Sequence, residues 1–388
     1  MRRIASVTGS RADYEPMSRL YAEIAANSEF ELHLIVTGMH LLPEFKSSLD
    51  RVRSDGFGEL YEIKMILEDD NPAAMARSMG LALAGFPLLL DRIKPDIVLL
   101  QGDRGEMLAG AIAATHMNIA VVHMSGGDRS GSIDDSIRNG ITKFAHFHLT
   151  TCRSSTEALI AMDEERARIV EVGEPSLDCL KTMDFLPFDE LAKEFDLPAD
   201  KKFLVATLHP VTDEWQSAAS QMTTLLHALE EIGMPTVFTY PNSDSGGRSM
   251  RDVLESWRGS SFLRIEANLG TLRYFSLLRH AKVMVGNSSS GLIESPSFVL
   301  PVVNIGSRQH GRQRAGNVID VEFDKERIVG AVKYAINDSR FAERVAKCRN
   351  PYGDGTASAR AIDVLSRLNL GPELIAKWIR SAGPFLAT

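Results

Sequence analysis

The sequence predicts an α/β protein of two doubly wound domains, each a parallel sheet with helices on both faces. Short β-rich runs alternate with longer helical ones, the rhythm of βαβ units. The runs Ile97-Val98-Leu99-Leu100 and Ile119-Ala120-Val121-Val122 are apolar without alternation, as strands covered on both faces are. Polar, Gly-bearing turns follow the strand runs, which is where open α/β sheets gather their ligands.

Taken in chain order, Ile4–Thr8, Glu31–Val36, Asp96–Leu100 and Ile119–His123 read as strands, and Tyr14–Ala26, Ala73–Arg92 and Arg104–His116 as helices. A second cycle starts near Phe203–Thr207 and continues through Thr236–Tyr240, Phe262–Ile265, Lys282–Val285 and Val302–Ile305. The polar, Pro-bearing stretch Gly173–Ala199 separates the cycles and reads as linker and entry to the second domain. A chain of 388 residues suits two domains of about 170 to 200 residues. The expected division is 1–175, 176–370 and a C-terminal helical segment 371–388, with a cleft between the facing strand ends of the two domains.

Composition is that of an ordinary soluble chain: 44% hydrophobic, 24% charged and 7% aromatic. A formal charge of −8 argues against nucleic acid or an anionic membrane as partner. Three widely spaced cysteines, Cys152, Cys179 and Cys348, fit a reducing compartment and are read as small core residues. No signal peptide and no apolar run near 18 residues is read, so the expected location is the cytoplasm.

Val283–Gly286 followed by Asn287-Ser288-Ser289-Ser290-Gly291 reads as a buried strand running into a small polar turn that opens a helix. The amides of Ser288 to Gly291 would then form an anion seat suited to a phosphate. Glu294 lies on the same helix face as Ser290, where its carboxylate suits the two vicinal hydroxyls of a ribose. A merely capped helix with Glu in its first turn is the alternative.

Asp103, Asp128, Asp134 and Asp135 fall on strand-following loops or helix starts within about 30 residues of one another. Singly they read as turn, loop or cap residues, and Ser132 with Asp135 resembles a capping box. Their clustering favours acid/base chemistry, and no His or Cys spacing supports a metal. His209, at a strand end before Pro210, and His40, in a strand-following turn, are candidate ligands or proton carriers, whereas His123 reads as structural. Arg11, Arg308, Arg312 and Arg314 flank Gly-rich turns, where guanidinium forks suit diphosphate oxygens.

Seven motifs occur in the order in which one enzyme family carries them: Gly9-Ser10-Arg11-Ala12-Asp13-Tyr14, Val36-Thr37-Gly38-Met39-His40-Leu41, Gly102-Asp103-Arg104, Ile133-Asp134-Asp135-Ser136-Ile137-Arg138, Val172-Gly173-Glu174-Pro175-Ser176, His209-Pro210-Val211-Thr212 and Gly286–Gly291. On these the chain resembles a hydrolysing UDP-N-acetylglucosamine 2-epimerase of the kind that feeds sialic or legionaminic acid synthesis. The resemblance implies a GT-B fold, a C-terminal helix within Pro372–Ile379 crossing back to the first domain, a UDP-sugar substrate, no cofactor and no metal, and a homodimer or homotetramer. It implies Asp103 and Asp134 as the acid/base pair, with Asp135 orienting, Asp128 supporting and His209 assisting. Arg11, His40, Ser125, Arg138, Gly173, Asn287, Ser288, Ser289, Ser290, Gly291, Glu294, Arg308 and Arg314 would bind substrate. The implied chemistry eliminates UDP to a glycal, then adds water at carbon 1 and a proton at the opposite face of carbon 2. This chain departs from the family pattern at Ser125, where relatives carry Glu or His, at Asn139 in place of His, and at Ser295-Pro296 after the serine turn. A GT-B glycosyltransferase and a nucleotide-sugar sensor are the alternatives.

Overall fold

The computed structural model describes residues 1–43, 46–66, 72–130, 134–242, 244–377 and 385. Two compact units emerge: Met1–Arg129, Ile133–Lys181 and Tyr352–Thr388 form the first, and Ser130–Ser132 with Thr182–Pro351 the second. The stretch read as a linker is largely helical, with turns at Pro175–Asp178 and Cys179–Thr182 and a helix over Phe188–Phe195.

In the first unit, β1 (Arg2–Thr8), β2 (Phe30–Thr37), β3 (Glu59–Ile63), β4 (Ile97–Gln101), β5 (Ala120–Met124), β6 (Phe147–Thr150) and β7 (Ile169–Glu171) form one parallel sheet in the order 3-2-1-4-5-6-7. The second holds β8 (Leu204–Thr207), β9 (Thr236–Thr239), β10 (Leu263–Glu266), β11 (Val283–Gly286), β12 (Val302–Ile305) and β13 (Val318–Val321), ordered 10-9-8-11-12-13 and also parallel. Each order reverses once, between β1 and β4 and between β8 and β11. At such a switch point neighbouring connections leave on opposite faces and open a crevice at the strand ends. The polar turns after β1, β4, β8 and β11 are therefore where ligand chemistry is expected.

Both faces of the first sheet are covered, as the unalternating strands require. Ile4, Leu34, Leu99 and Val122 pack with Tyr14, Met17 and Leu20 of the helix Arg11–Ala26 and with Ala361, Val364 and Leu365 of the helix Ala357–Arg367. On the other face Ala5, Val7, Val98 and Val121 meet Phe86 and Leu90 of the helix Pro72–Ile93 and Met107 of Gly105–His116. Ala73–Ile93 is long and apolar enough to cross a membrane by length and composition, contrary to the sequence reading. Its buried residues Ala74, Ser78, Ala82, Phe86 and Leu90 recur every fourth position, so one stripe faces the sheet while Met75, Leu81 and Leu88 are exposed. A single buried cluster, with Phe238, Leu226 and Val303 among its members, forms the core of the second unit. Of the cysteines only Cys152 is fully buried; Cys179 and Cys348 are half-buried, and all three are free thiols.

Of the five buried histidines among the described residues of the first unit, His40, His123 and His146 are expected to make it acid-labile. Burial pushes His40 down to about 4, His123 to about 3 and His146 to about 4. Below pH 6.5 the unfolded chain takes up these protons and the folded one does not, so stability falls with pH through that window. Asp13 acts in the opposite sense, since burial raises it to about 6 and it holds a proton that the unfolded chain releases. His148 is lowered by burial as well, so one carboxyl opposes at least three imidazoles and the net loss at pH 5 relative to pH 7.5 is on the order of a few kcal/mol. A lower urea midpoint at pH 5 is the expected result; an equal or higher one contradicts it.

Candidate active site

In the first unit the turn after β4 and the helix Asp134–Phe144 are joined by one guanidinium. Arg138 is 5% exposed. Its Nη2 pairs with the Asp103 carboxylate, and Nη1 donates to Asp135 Oδ1 at 3.2 Å and to the Asp128 carbonyl at 2.6 Å. A planar fork with fixed donors sets the directions of the groups it touches. Asp128 is anchored besides by the hydroxyls of Thr151 at 2.7 Å and Ser155 at 2.5 Å. Asp134 and Asp135 both lie in the first helical turn, half-buried. Ser132, the expected cap, lies with Ile133 outside the described residues. Ser125 follows β5 in a left-handed conformation, φ +65°, and is buried; among the described residues its hydroxyl has no hydrogen-bond partner.

At the β1/β4 reversal sits a polar cluster of which sequence reasoning had picked out only His40. Asp13 accepts from the Thr8 hydroxyl at 2.5 Å, the Ser10 hydroxyl at 2.7 Å and the Gly9 amide at 3.1 Å. Because the Thr8 hydroxyl donates to Asp13, it accepts from His40 Nε2 at 2.9 Å, and His40 Nδ1 then accepts from Ser48 at 2.7 Å. Both ring nitrogens of His40 are thus engaged by protein hydroxyls and the ring is buried, so here it orients Thr8 and Ser48. Glu106 fills the gap between Gly9 and Gly38, where a Cβ on Gly9 would lie 1.7 Å from its Oε1, and it pairs with Arg104 at 2.7 Å. The motifs around Gly9, Gly38 and Gly102 touch this cluster, but none of them pointed to Asp13 or Glu106. Arg11 is exposed at the start of its helix, 4.0 Å from Glu15. Gly173 is packed against Gly353 and the Tyr352 carbonyl, where it serves close backbone approach.

In the second unit the β8/β11 reversal brings His209 and Asn287 together. The buried Asn287 side chain accepts from the His209 amide at 2.7 Å and donates to its carbonyl at 2.8 Å, a two-point bracket across the strand ends. His209 Nδ1 accepts from the Asn242 amide at 3.0 Å. Burial, with the Arg308 charge nearby, pushes its imidazole down to about 3, so it is neutral, and its tautomer carries the proton on Nε2 as a donor. The sequence reading allowed His209 to neutralise diphosphate charge; a neutral ring can offer an anion only its Nε2–H.

Arg308 Nη1 donates to the Asn287 carbonyl at 3.2 Å, and Gln309 Nε2 to the same oxygen at 2.8 Å. Arg314 is paired with Asp320 at 2.7 Å, a role within the unit that the sequence did not suggest. The serine turn is tighter than expected. α-Helix spans only Ser290–Ile293, the Gly291 amide is spent on the Ser288 carbonyl at 3.1 Å, and the Ser290 amide leans on Ser288 Oγ at 3.4 Å. The donors left for an anion are therefore chiefly the amides of Ser288 and Ser289. Pro296 does not break the chain, since it opens a 3₁₀ turn over Ser295–Phe298, and Glu294 sits at the junction. Tyr274, half-buried and raised to about 12 by the burial of its hydroxyl, lies beside Ser288, Ser290 and Glu294, a neighbour the sequence did not single out.

A family profile described as UDP-N-acetylglucosamine 2-epimerase matches residues 22–366. A UDP-N,N'-diacetylbacillosamine 2-epimerase (hydrolyzing) of Legionella pneumophila is 36% identical over 97% of this chain and 99% of its own length. A GDP/UDP-N,N'-diacetylbacillosamine 2-epimerase (hydrolyzing) of Campylobacter jejuni is 35% identical over 83% of this chain and 85% of its own. Among solved structures, the UDP-GlcNAc 2-epimerase of Neisseria meningitidis bound to UDP-GlcNAc superposes with a TM-score of 0.80 at 18% identity, covering 94% of this chain and 99% of that one. Two Rossmann-like domains with this topology are the GT-B fold. With the profile running through both units and relatives above 30% identity matched along most of their length, the chain belongs to the UDP-N-acetylglucosamine 2-epimerase family.

Proposed function

We propose that the chain is a hydrolysing nucleotide-sugar 2-epimerase that releases UDP and the free 2-epimer, and that its substrate is UDP-N,N'-diacetylbacillosamine, with UDP-N-acetylglucosamine the second choice. The Arg138 fork carries the reading: it gathers carboxylates from two separate segments, which is what proton transfer on a sugar ring needs and more than transfer to an acceptor does. The names of the Legionella and Campylobacter relatives support both the hydrolytic outcome and the diacetamido sugar.

Carbon 2 is not adjacent to a carbonyl, so its proton becomes acidic only as the bond from carbon 1 to the UDP oxygen breaks and positive charge develops at the ring. A carboxylate, Asp103 or Asp134, takes that proton while the bonding pair leaves on UDP, producing a glycal. Addition of water at carbon 1 and of a proton at the other face of carbon 2 completes the inversion. The leaving diphosphate needs donors more than an acid. Arg308, always charged, the Nε2–H of His209 and the amides of Ser288 and Ser289 are suited to that task, and Glu294 to the ribose.

The deciding experiment is proton and phosphorus NMR in deuterated water with either UDP-sugar. Free UDP together with free 2-epimer carrying deuterium at carbon 2 is the expected result. Sugar that stays on UDP without deuterium rejects the proposal; epimer that stays on UDP with deuterium rejects its hydrolytic half.

A further inference from the structure

The helix that carries Asp134, Asp135 and Arg138 ends in a contact that nothing in the proposed chemistry uses. Lys377 Nζ donates to the carbonyls of Thr142 at 2.8 Å and Lys143 at 3.2 Å, and pairs with Glu164 Oε2 at 2.7 Å. Three acceptors thus meet the three hydrogens of one ammonium, placed at the negative end of the helix dipole. Glu164 is itself buried and accepts from Lys143 at 2.9 Å and His148 at 3.2 Å. Burial alone would raise its carboxyl; the bonds from His148, Lys377 and Lys143 pull it down to about 2 instead. The segment just before Lys377 is fastened by Arg168, wholly buried, which donates to the carbonyls of Leu374 at 2.8 Å and Glu373 at 3.1 Å.

The same helix end is wired to the other candidate acid. Thr142 Oγ1 lies 3.3 Å from His123 Nδ1, and His123 Nε2 donates to the Gly102 carbonyl at 2.8 Å, one residue before Asp103. Held neutral by burial, His123 keeps one tautomer and so one direction of bonding. Helix Asp134–Phe144 is therefore pinned at its first turn through Arg138 and at its last through Lys377, with His123 tying the last turn to the Asp103 loop.

We propose that Lys377 is a positioning residue for the carboxylate site, and that the segment Pro372–Lys377 is a strap that sets where Asp134 and Asp135 stand relative to Asp103. The inference deepens the epimerase reading, and its first test does not depend on that reading. Amide hydrogen exchange of full-length Lys377→Met is expected to accelerate about tenfold or more over residues 134–144 and to stay unchanged over 283–305, with Lys377→Arg near wild type. In turnover of UDP-N,N'-diacetylbacillosamine, Lys377→Met is expected to lose about tenfold to a hundredfold in kcat with KM and UDP affinity within twofold, and Lys377→Arg to recover part of the loss. Unchanged exchange over 134–144 overturns the proposal. So does acceleration throughout the chain with a matching loss of UDP affinity, which marks general unfolding. A wild type without turnover rejects the epimerase reading while the exchange result still decides the strap.

Discussion

Asp103→Asn is expected to lose about 10³-fold in turnover and to unfold at lower temperature, whereas Asp134→Asn loses a similar factor in turnover with little change in stability. The amide keeps the shape of each side chain and removes the proposed base, which accounts for the shared loss. What separates the two is Arg138. Asp103 pairs directly with this guanidinium, which is nearly inaccessible, so a neutral amide there leaves a buried cation short of one counter-charge. Asp135 remains as partner at 3.2 Å, which limits the cost to about 1–2 kcal/mol in place of the 3–5 kcal/mol typical of an orphaned buried charge. Steady-state kinetics with calorimetric UDP titration and thermal unfolding of both variants decide it. UDP affinity should stay within twofold, because the nucleotide donors proposed above belong to the second unit. Equal melting temperatures with unequal turnover would remove the case for Arg138 as the organiser of the site.

Gly286→Ala is expected to destabilise the second unit by on the order of 3–5 kcal/mol and to weaken UDP binding at least tenfold. Its φ of +132° lies where side chains are strained, and a Cβ would sit 1.9 Å from the Thr207 carbonyl oxygen on the paired strand. That oxygen also accepts from the Asn287 amide at 3.1 Å, so the strands cannot part without moving the bracket that holds His209. Gly259→Ala is the control: φ is +100° there too, but open space surrounds it, and only about 1 kcal/mol is expected. Urea unfolding and UDP titration of both variants test this. Equal losses in the two would mean that backbone strain alone, and not the closeness of β8 and β11, governs the site.

Central strands were legible because burial on both faces leaves unbroken apolar runs; Ile97–Gln101 and Ala120–Met124 match their predicted positions to within a residue. β3 was missed because Glu-Leu-Tyr-Glu-Ile, at a sheet edge, carries two charges and no clean alternation, and β7 and β13 because three or four residues carry little pattern. β6 was hidden differently. Its His148 is polar by type yet fully buried, made tolerable by Glu164 from elsewhere in the chain. The same reason separates what was and was not legible at the site. Glycines and small polar residues mark strand-end turns locally, so Asp103, His209 and Asn287 stood out. The Arg138–Asp103 pair spans 35 residues and Lys377–Thr142 spans 235, distances over which no periodicity speaks. Asp13 and Glu106 escaped assignment because their meaning comes from the β1/β4 reversal, which is a property of strand order.

The first unit is assembled from both ends of the chain, with Tyr352–Thr388 returning to it after the second unit is finished. A ribosome releases residues in order, at about 5–20 per second, and domains tend to fold as they emerge. Met1–Lys181 therefore waits, its helix Arg11–Ala26 lacking the cover of Ala357–Arg367, while Thr182–Pro351 is synthesised and can close on its own. Nascent chains stalled after residue 351 should carry a folded second unit and a half-built first unit that binds chaperones through the uncovered face of Tyr14, Met17 and Leu20. Birth order thus reverses reading order: the second unit matures first, and the polypeptide's last stretch completes its beginning.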